Sequence, residues 1–176
     1  MKAAREFLKL DPVNSWGLTV LRDADLDAGR ADLALARYQK VYPELLAADD
    51  PTVKGFAYGQ AIEVALALIE AGNSERADLL LNKSRAAITV EPRLGYAGFG
   101  VSDVEIYALL GKKQQALATL RQAIDEGWRA FWWMALKKNR NLASLHEEPE
   151  FQAMIAELET EMAGQLARVR AMGLTP

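Results

Sequence analysis

The sequence predicts an all-α fold of stacked helical hairpins, and three observations support this. Apolar residues recur at three- and four-residue spacing along most of the chain, for example at Val104, Tyr107 and Ala108. Strong helix formers dominate, while strict alternation and β-branched runs are scarce. Glycine and proline fall at intervals that suit helix ends. A chain of 176 residues with 51% apolar content suffices for one core or one short helical solenoid.

The apolar periodicity and the end signals together predict a series of helices. Pro51 and Pro149 are expected at first helical positions, where the missing N–H costs nothing. Ser102, with Glu105 three residues later, has the form of a capping box. The predicted ranges, in chain order, are 2–10, 15–28, 30–47, 51–71, 74–89, 102–110, 112–126, 129–137 and 149–172.

An internal repeat organises these helices. The segments 29–34, 72–77 and 111–116 each start with glycine, continue with four mostly polar or small residues and end with alanine. Each segment follows one apolar helix and opens another. Glycine ends the first helix in a left-handed conformation at little steric cost. The alanines Ala34, Ala77 and Ala116 are expected where two antiparallel helices approach closely, and hairpins of this kind bury their apolar faces by stacking.

This pattern resembles the tetratricopeptide repeat, whose first helix carries a tyrosine where Tyr107 stands before Ala116. The glycine spacing is longer than the family's repeat of about 34 residues, so the repeats here are degenerate. The resemblance implies a right-handed α–α superhelix of about three to four hairpins, closed by a long C-terminal capping helix. The implied single domain, 1–176, comprises a half repeat at 1–12, hairpins at 15–48, 51–90 and 101–127, and a cap at 128–176.

The C-terminal third adds a second resemblance. The strings 110–120, 123–128 and 141–151 are similar to the end of the tetratricopeptide regions of bacterial winged-helix activators, adenylate cyclases and some bacterial kinases. The last string contains a leucine followed by an acidic residue, proline and phenylalanine, and a long helix follows it. The resemblance implies a sensory or protein-binding region of a larger bacterial regulator. It implies no catalytic residues.

Composition argues against several functional classes. The net charge of −3, mixed along the chain, is unlike the basic footprint of a nucleic-acid binder. The chain has no cysteine, and its one histidine, His146, lacks the second histidine of a zincin motif. Residues 61–71, the most apolar window, are too short and too charged to span a bilayer. We therefore expect no enzyme, cofactor, metal or membrane segment, and a cytoplasmic location, or a periplasmic one if the parent protein is membrane-anchored.

The candidate partner-binding residues come from three places. The inner groove of such an array is lined by the first helix of each hairpin, and this predicts Trp16, Asp23, Ile62, Leu66 and Glu105 as contacts. The glycine-rich loop 92–100 adds Tyr96 and Phe99, and an aromatic cluster around residue 131 adds Trp132 as an anchor. The alternative for each of these residues is ordinary packing against neighbouring helices.

These observations predict a non-catalytic module that binds a protein or peptide. The alternative is a regulatory domain that senses a small molecule in the groove near Tyr96, Phe99 and Tyr107, and a more distant one is a helical enzyme. A cluster of carboxylates with perturbed pKa values in a cleft would favour the enzyme. The last helix carries a continuous apolar stripe, which either caps the final hairpin or pairs with a second copy of the chain.

Overall fold

The computed structural model describes residues 2–47, 50–95 and 98–173, and every regular element within these ranges is helical. Short 3₁₀ segments at Pro43–Leu46, Gly55–Ala57 and Arg140–Leu145 connect the longer helices. The all-α prediction is therefore confirmed for the described residues. The α-helices, in chain order, are α1 (Lys2–Leu10), α2 (Ser15–Asp27), α3 (Ala31–Val41), α4 (Tyr58–Glu70), α5 (Ser74–Ile88), α6 (Ser102–Leu109), α7 (Lys113–Asp125), α8 (Trp132–Lys137) and α9 (Pro149–Ala171).

Helices that follow one another in the chain pack against each other. The pairs α1 and α2, α2 and α3, α4 and α5, and α6 and α7 are each in contact. Helix α4 also contacts α2, α3 and α6, so it lies at the centre of the molecule. The 3₁₀ segment Arg140–Leu145 packs on α6 and also reaches α4 and α7. The C-terminal part of the chain is thus folded back onto the hairpins.

Glycine ends three helices in the way that the repeat predicts. Gly29, Gly72 and Gly111 have φ angles of 66°, 78° and 71°, in the left-handed region. The amide after each glycine reaches back over the last helical turn, as in the Asn73 N–H bond to the Leu68 carbonyl at 2.8 Å. These bonds satisfy carbonyls that the helix end would otherwise leave without a partner.

The repeat alanines are fully buried, which is what the prediction of close helix contacts requires. Ala34, Ala77 and Ala116 are each 0% exposed. The large residues one turn further on, Tyr38, Leu81 and Leu120, are also fully buried. Since helix axes come closest where the side chains between them are small, a larger residue at any of the three alanines would force the hairpin apart.

The described residues form two main apolar cores. One surrounds α4 and α5 and includes Ile62 and Leu68. The other joins α6, α7, α8, the segment after it and the first half of α9, where Leu136, Leu142 and Phe151 are each 0% exposed. A fully buried leucine or phenylalanine contributes about 1.5–3 kcal/mol, so the predicted cap is held firmly to the last hairpin.

Several predicted boundaries are wrong, and proline explains one of them. The helix predicted over 30–47 ends at Val41, because Pro43 lacks the N–H that an α-helix needs and disfavours helical geometry at Tyr42. Pro51 does not open a helix: residues 50–54 are non-helical, and α4 begins at Tyr58 after a 3₁₀ turn. Pro149, by contrast, opens α9 as predicted.

Two further local predictions are also wrong. Ser102 is the first helical residue of α6 rather than its cap, and the cap position has no side-chain hydrogen bond. Glu105 does not reach back to the helix start, because a buried asparagine from the C-terminal segment binds its carboxylate. The helix predicted over 129–137 starts only at Trp132, since Phe131 has a left-handed backbone conformation. As a separate observation, no helix within the described ranges is both long and apolar enough to cross a membrane.

Candidate functional site

A buried polar cluster lies where α2, α4, α6 and the segment Arg140–Leu145 meet. Its cation is Arg22, whose side chain is 0% exposed. Arg22 Nε donates to Asp23 Oδ1 at 2.9 Å, and Nη1 donates to Asn141 Oδ1 at 3.1 Å. Arg22 also forms an ion pair with Glu63 of α4. A charge removed from water in this way is tolerated only when several partners surround it, as they do here.

Asn141 connects this cation to two carboxylates. Its Nδ2 group donates to Glu63 Oε1 at 3.2 Å and to Glu105 Oε2 at 2.6 Å. Both amide N–H groups therefore have acceptors, and the amide oxygen accepts from Arg22. Asn141 is itself 1% exposed, so a single side chain from the C-terminal segment holds three hairpin helices together.

The cluster perturbs the ionisation of its acids. Burial raises the pKa of Glu105 to about 7, and the nearby negative charge of Glu63 adds to this effect against the hydrogen bond from Asn141. Burial also raises the pKa of Glu63, although the charge of Arg22 opposes the increase. Since both effects disfavour the charged form, Glu105 exchanges its proton near neutral pH.

A cavity of about 360 Å³ opens beside the cluster, between α2 and α8. One face of α2 forms one wall, a face of α8 with the residues around it forms the other, and Glu63 of α4 lies at the base. Asp23 and Glu63 belong to both the cavity and the polar cluster. The lining residues are Ser15, Trp16, Thr19, Asp23, Glu63, Phe131, Met134, Ala135, Lys138 and Asn139.

Large apolar side chains surround the cavity and are exposed to solvent. We call Phe7, Trp16, Phe131 and Met134 the aromatic patch; Trp16, Phe131 and Met134 line the cavity, and Phe7 packs edge-to-face on Trp16 at 5.3 Å. Phe131 is the most exposed of them, at 71%. Its φ of 49° is the only positive value at a non-glycine residue in the described ranges. Such a conformation costs about 1–3 kcal/mol and occurs preferentially at functional sites.

The structure brings three of the predicted partner contacts together. Trp16 and Asp23 line the cavity, and Glu105 lies in the polar cluster behind it. Ile62 and Leu66 are 1% and 6% exposed, so they belong to the apolar core instead of an open groove. The groove prediction misplaced them because α4 is central and is covered by neighbouring helices.

The other predicted contacts lie elsewhere. Trp132 is half-buried against the C-terminal core, and Lys137 Nζ lies 5.6 Å from its ring centroid. Tyr96 lies outside the described residues. Phe99 is half-buried, and the guanidinium of Arg93 covers its ring at 4.8 Å. The more exposed members of the aromatic cluster are Phe131 and Trp133, which is 52% exposed.

The predicted small-molecule site corresponds to a surface cleft near the glycine-rich loop. Phe99 and Tyr107 line this cleft of about 360 Å³ together with Arg93 and Asp103. Arg93 is already engaged: it donates to both Asp103 oxygens at 2.8 and 3.0 Å and to Glu126 Oε2 at 2.6 Å. These ion pairs fix the loop to α6 and α7, which favours a structural role for its charged residues.

Residue patterns alone missed Arg22, Glu63, Met134 and Asn141, and from the aromatic cluster they selected Trp132 instead of Phe131. One local signal for Glu63 existed, because a carboxylate inside the most apolar stretch of the chain must be paired when it is buried. Arg22 gave the same signal within α2. Nothing in the local sequence marks Asn141, because its role depends on helices that lie far away in the chain.

Two further features bear on the chemistry available. His146 Nε2 lies 3.2 Å from the Leu136 carbonyl, and its ring packs near Phe151, so it helps to hold α9 in place. In the part of the chain that the structure describes, no group of three or more acidic or histidine side chains has the arrangement of a metal site.

The far half of α9 extends away from the last hairpin. Leu166 and Val169, both on the predicted apolar stripe, are 49% and 42% exposed, whereas Phe151 and Leu158 on the near half are fully buried. The near half of the helix therefore packs against the C-terminal core. Pairing of the far half with a second copy stays a prediction.

Comparison with known proteins yields no significant match for this chain among protein-family models, curated proteins or solved structures. The tetratricopeptide resemblance therefore rests on this chain's own repeats.

Proposed function

We propose that this chain is a non-catalytic protein-binding module, a degenerate tetratricopeptide-like array in a larger bacterial regulatory protein. The observation that carries the proposal is the aromatic patch around the cavity between α2 and α8. Large apolar side chains that surround a cavity and face water are typical of interaction sites, because covering them releases ordered water. Trp16 is 48% exposed and Phe131 is 71% exposed, so both are available to a partner.

The repeats support the array part of the proposal. Three hairpins share a left-handed glycine followed by a fully buried alanine, which is how such arrays pack. The patch lies where the first complete hairpin faces the C-terminal segment, so its two sides come from distant parts of the chain. A site formed in this way depends on the whole array being folded.

Binding by variants with matched controls tests the proposal. The patch variant combines Trp16→Ala with Phe131→Asn; the control is Phe56→Asn, because Phe56 is 60% exposed and lies outside the patch. A partner captured by the wild-type chain from cells that express it is purified and titrated against each variant. We expect the patch variant to bind at least about tenfold more weakly and the control to bind like wild type. Equal affinity of all three chains would refute the patch as the binding surface.

One observation favours a second candidate, acid–base catalysis. Glu63 and Glu105 form a pair of buried carboxylates next to a cavity, and the pKa of Glu105 is raised to about 7, as a general acid at neutral pH requires. Two observations argue against catalysis. Glu105 does not line the cavity, and its Oε2 already accepts a hydrogen bond from Asn141. Hydrolytic turnover of ester or glycoside probes that is lost in Glu105→Gln, with partner binding retained, would establish catalysis instead.

A further inference from the structure

The cavity between α2 and α8 combines apolar walls with an acidic base. Trp16, Phe131 and Met134 are the more exposed lining residues, whereas the side chains of Asp23 and Glu63 are only 32% and 17% exposed and belong to the polar cluster. A ligand that fills this cavity and leaves no buried carboxylate unpaired therefore needs an apolar stem and a polar tip that donates hydrogen bonds. Lysine and arginine side chains have this form.

The charges around the cavity favour a cationic tip. Asp23, Glu63 and Glu105 supply three carboxyl groups, and Arg22 is the one cation within the buried cluster. Lys138 also lines the cavity, but it is exposed at the outer edge of α8. When all three acids are ionised, they and Arg22 together carry an excess of negative charge. A cation entering the cavity would offset that excess and lower the cost of ionising Glu105.

The walls favour arginine over lysine. A guanidinium is planar, stacks on aromatic faces and donates to two carboxylate oxygens at once, whereas an ammonium is a more strongly hydrated point charge. The Trp16 ring makes an edge-to-face contact with Phe7, which restricts the orientations of the ring. The chain itself already pairs Asp23 with a guanidinium, because Arg22 Nε and Nη2 both donate to Asp23 Oδ1.

We infer that the cavity between α2 and α8 binds an arginine side chain of the partner polypeptide, with Trp16 and Phe131 against its stem and Asp23 and Glu63 at its guanidinium. The inference rests on the proposed function and names the chemistry of the partner. The aromatic patch would cover the apolar residues that flank this arginine.

A short N-acetylated peptide amide, leucyl-arginyl-leucine, serves as the probe, and the same peptide with citrulline in place of arginine is its neutral isostere. Binding is followed by NMR at the indole N–H of Trp16, which Trp16→Phe assigns. We expect the arginine peptide to bind at least about tenfold more tightly than the citrulline peptide, and the difference to shrink at high salt. A lysine peptide is expected to lie between the two.

Charge variants predict changes of opposite sign. Asp23→Asn should weaken binding of the arginine peptide about tenfold, and its matched control Asp32→Asn, on the exposed face of α3, should leave it unchanged. Lys138→Gln should strengthen binding several-fold, because it removes the competing positive charge without touching the buried cluster. Its control is Lys54→Gln, also at an exposed position. The Lys138 variant keeps the test valid if loss of Asp23 disturbs folding.

Equal affinity for the arginine and citrulline peptides, or no binding of either, would overturn the inference. So would an unchanged affinity in Lys138→Gln. The two proposals fail separately. Loss of the natural partner in the patch variant, with no preference for arginine over citrulline, would leave the proposed function standing and remove the arginine site. If the wild-type chain prefers the arginine peptide but the patch variant still binds the natural partner, the arginine site would stand and the proposed binding surface would be removed.

Discussion

Phe131 is an exposed aromatic residue whose position and backbone conformation do not stabilise the fold. Its φ of 49° is a conformation that an aromatic residue rarely adopts, and its ring is largely in solvent. Neither feature helps the fold, since an exposed ring buries little area and the backbone strain opposes folding. The conformation ends the preceding turn and places the ring at the cavity mouth. We therefore interpret the backbone strain at Phe131 as a feature of a binding surface.

We predict that Phe131→Asn stabilises the fold by about 1 kcal/mol, because asparagine tolerates the left-handed region far better than phenylalanine. Urea denaturation followed by circular dichroism measures this change. The same substitution at Phe56, also exposed, should not stabilise the fold. A Phe131→Asn chain that is less stable than wild type would show that the ring contributes packing that its exposure conceals.

A second residue with an unusual property is Glu105, whose buried carboxyl group favours the protonated form. Its folded pKa of about 7 lies above the ordinary value of 4.5. Between these two values the folded state holds a proton that the unfolded state has lost, so stability falls as the pH rises through this window. The full difference amounts to about 3 kcal/mol, reached once Glu105 is ionised in both states.

Glu105→Gln mimics the protonated form, because its amide oxygen still accepts from Asn141. We predict that the variant matches wild type near pH 5 and is more stable near pH 8 by about 2 kcal/mol. Chemical denaturation across this range, with Glu75→Gln on the exposed surface as control, measures the difference. Parallel pH profiles for wild type and Glu105→Gln would contradict a raised pKa.

At the scale of helices, glycine has opposite effects in different places. Gly72 ends α4 with φ of 78°, and an added Cβ would meet no atom within 4 Å, so only backbone strain opposes substitution there. Gly164 lies inside α9, where an added Cβ also meets open space. One glycine is needed for its conformation, whereas the other only weakens a helix.

We predict that Gly72→Ala destabilises the chain by about 1 kcal/mol, because alanine resists the left-handed conformation. Gly164→Ala should stabilise by about 0.5–1 kcal/mol, since alanine is the better helix former. The two variants change the same atoms, so their midpoints in urea compare directly. A Gly72→Ala chain as stable as wild type would mean that the turn can adopt another geometry.

For the whole molecule, the polar cluster adds contacts that a simple array of hairpins lacks. In a repeat array each unit contacts mainly its neighbours. Here Asn141 binds Arg22, Glu63 and Glu105, which come from three different hairpins. Arg140 adds ion pairs to Asp27 and Glu70 at the ends of α2 and α4. The C-terminal segment thus connects the first hairpin to the last.

We predict that Asn141→Ala costs about 2–4 kcal/mol, because it leaves a buried guanidinium and two carboxylates without their shared partner. It should also broaden unfolding into more than one step, since the first hairpins would lose their link to the C-terminal core. Asn82→Ala, at an exposed position of α5, should lie within about 0.5 kcal/mol of wild type. Calorimetry with fluorescence detects both effects. A single sharp transition near the wild-type temperature would contradict this role.

The sequence by itself determined the helices, the hairpin turns and the burial of Ala34, Ala77 and Ala116. These features follow from local periodicity and from glycine conformation, which a short window of residues contains. The boundary at Pro43 is missed although its signal is local, because the apolar pattern continues past it. Pro51 is a local signal for a helix start, yet the helix begins only at Tyr58.

Only the tertiary structure decided which predicted contacts meet. Trp16 and Asp23 reach a cavity, whereas Ile62 and Leu66, chosen by the same rule, pack inside because α4 is covered on several sides. The environment of Glu105 depends on Asn141, 36 positions further along the chain. Burial and charge pairing depend on which residues are close in three dimensions. Residues so far apart in sequence come together only when the whole array has folded.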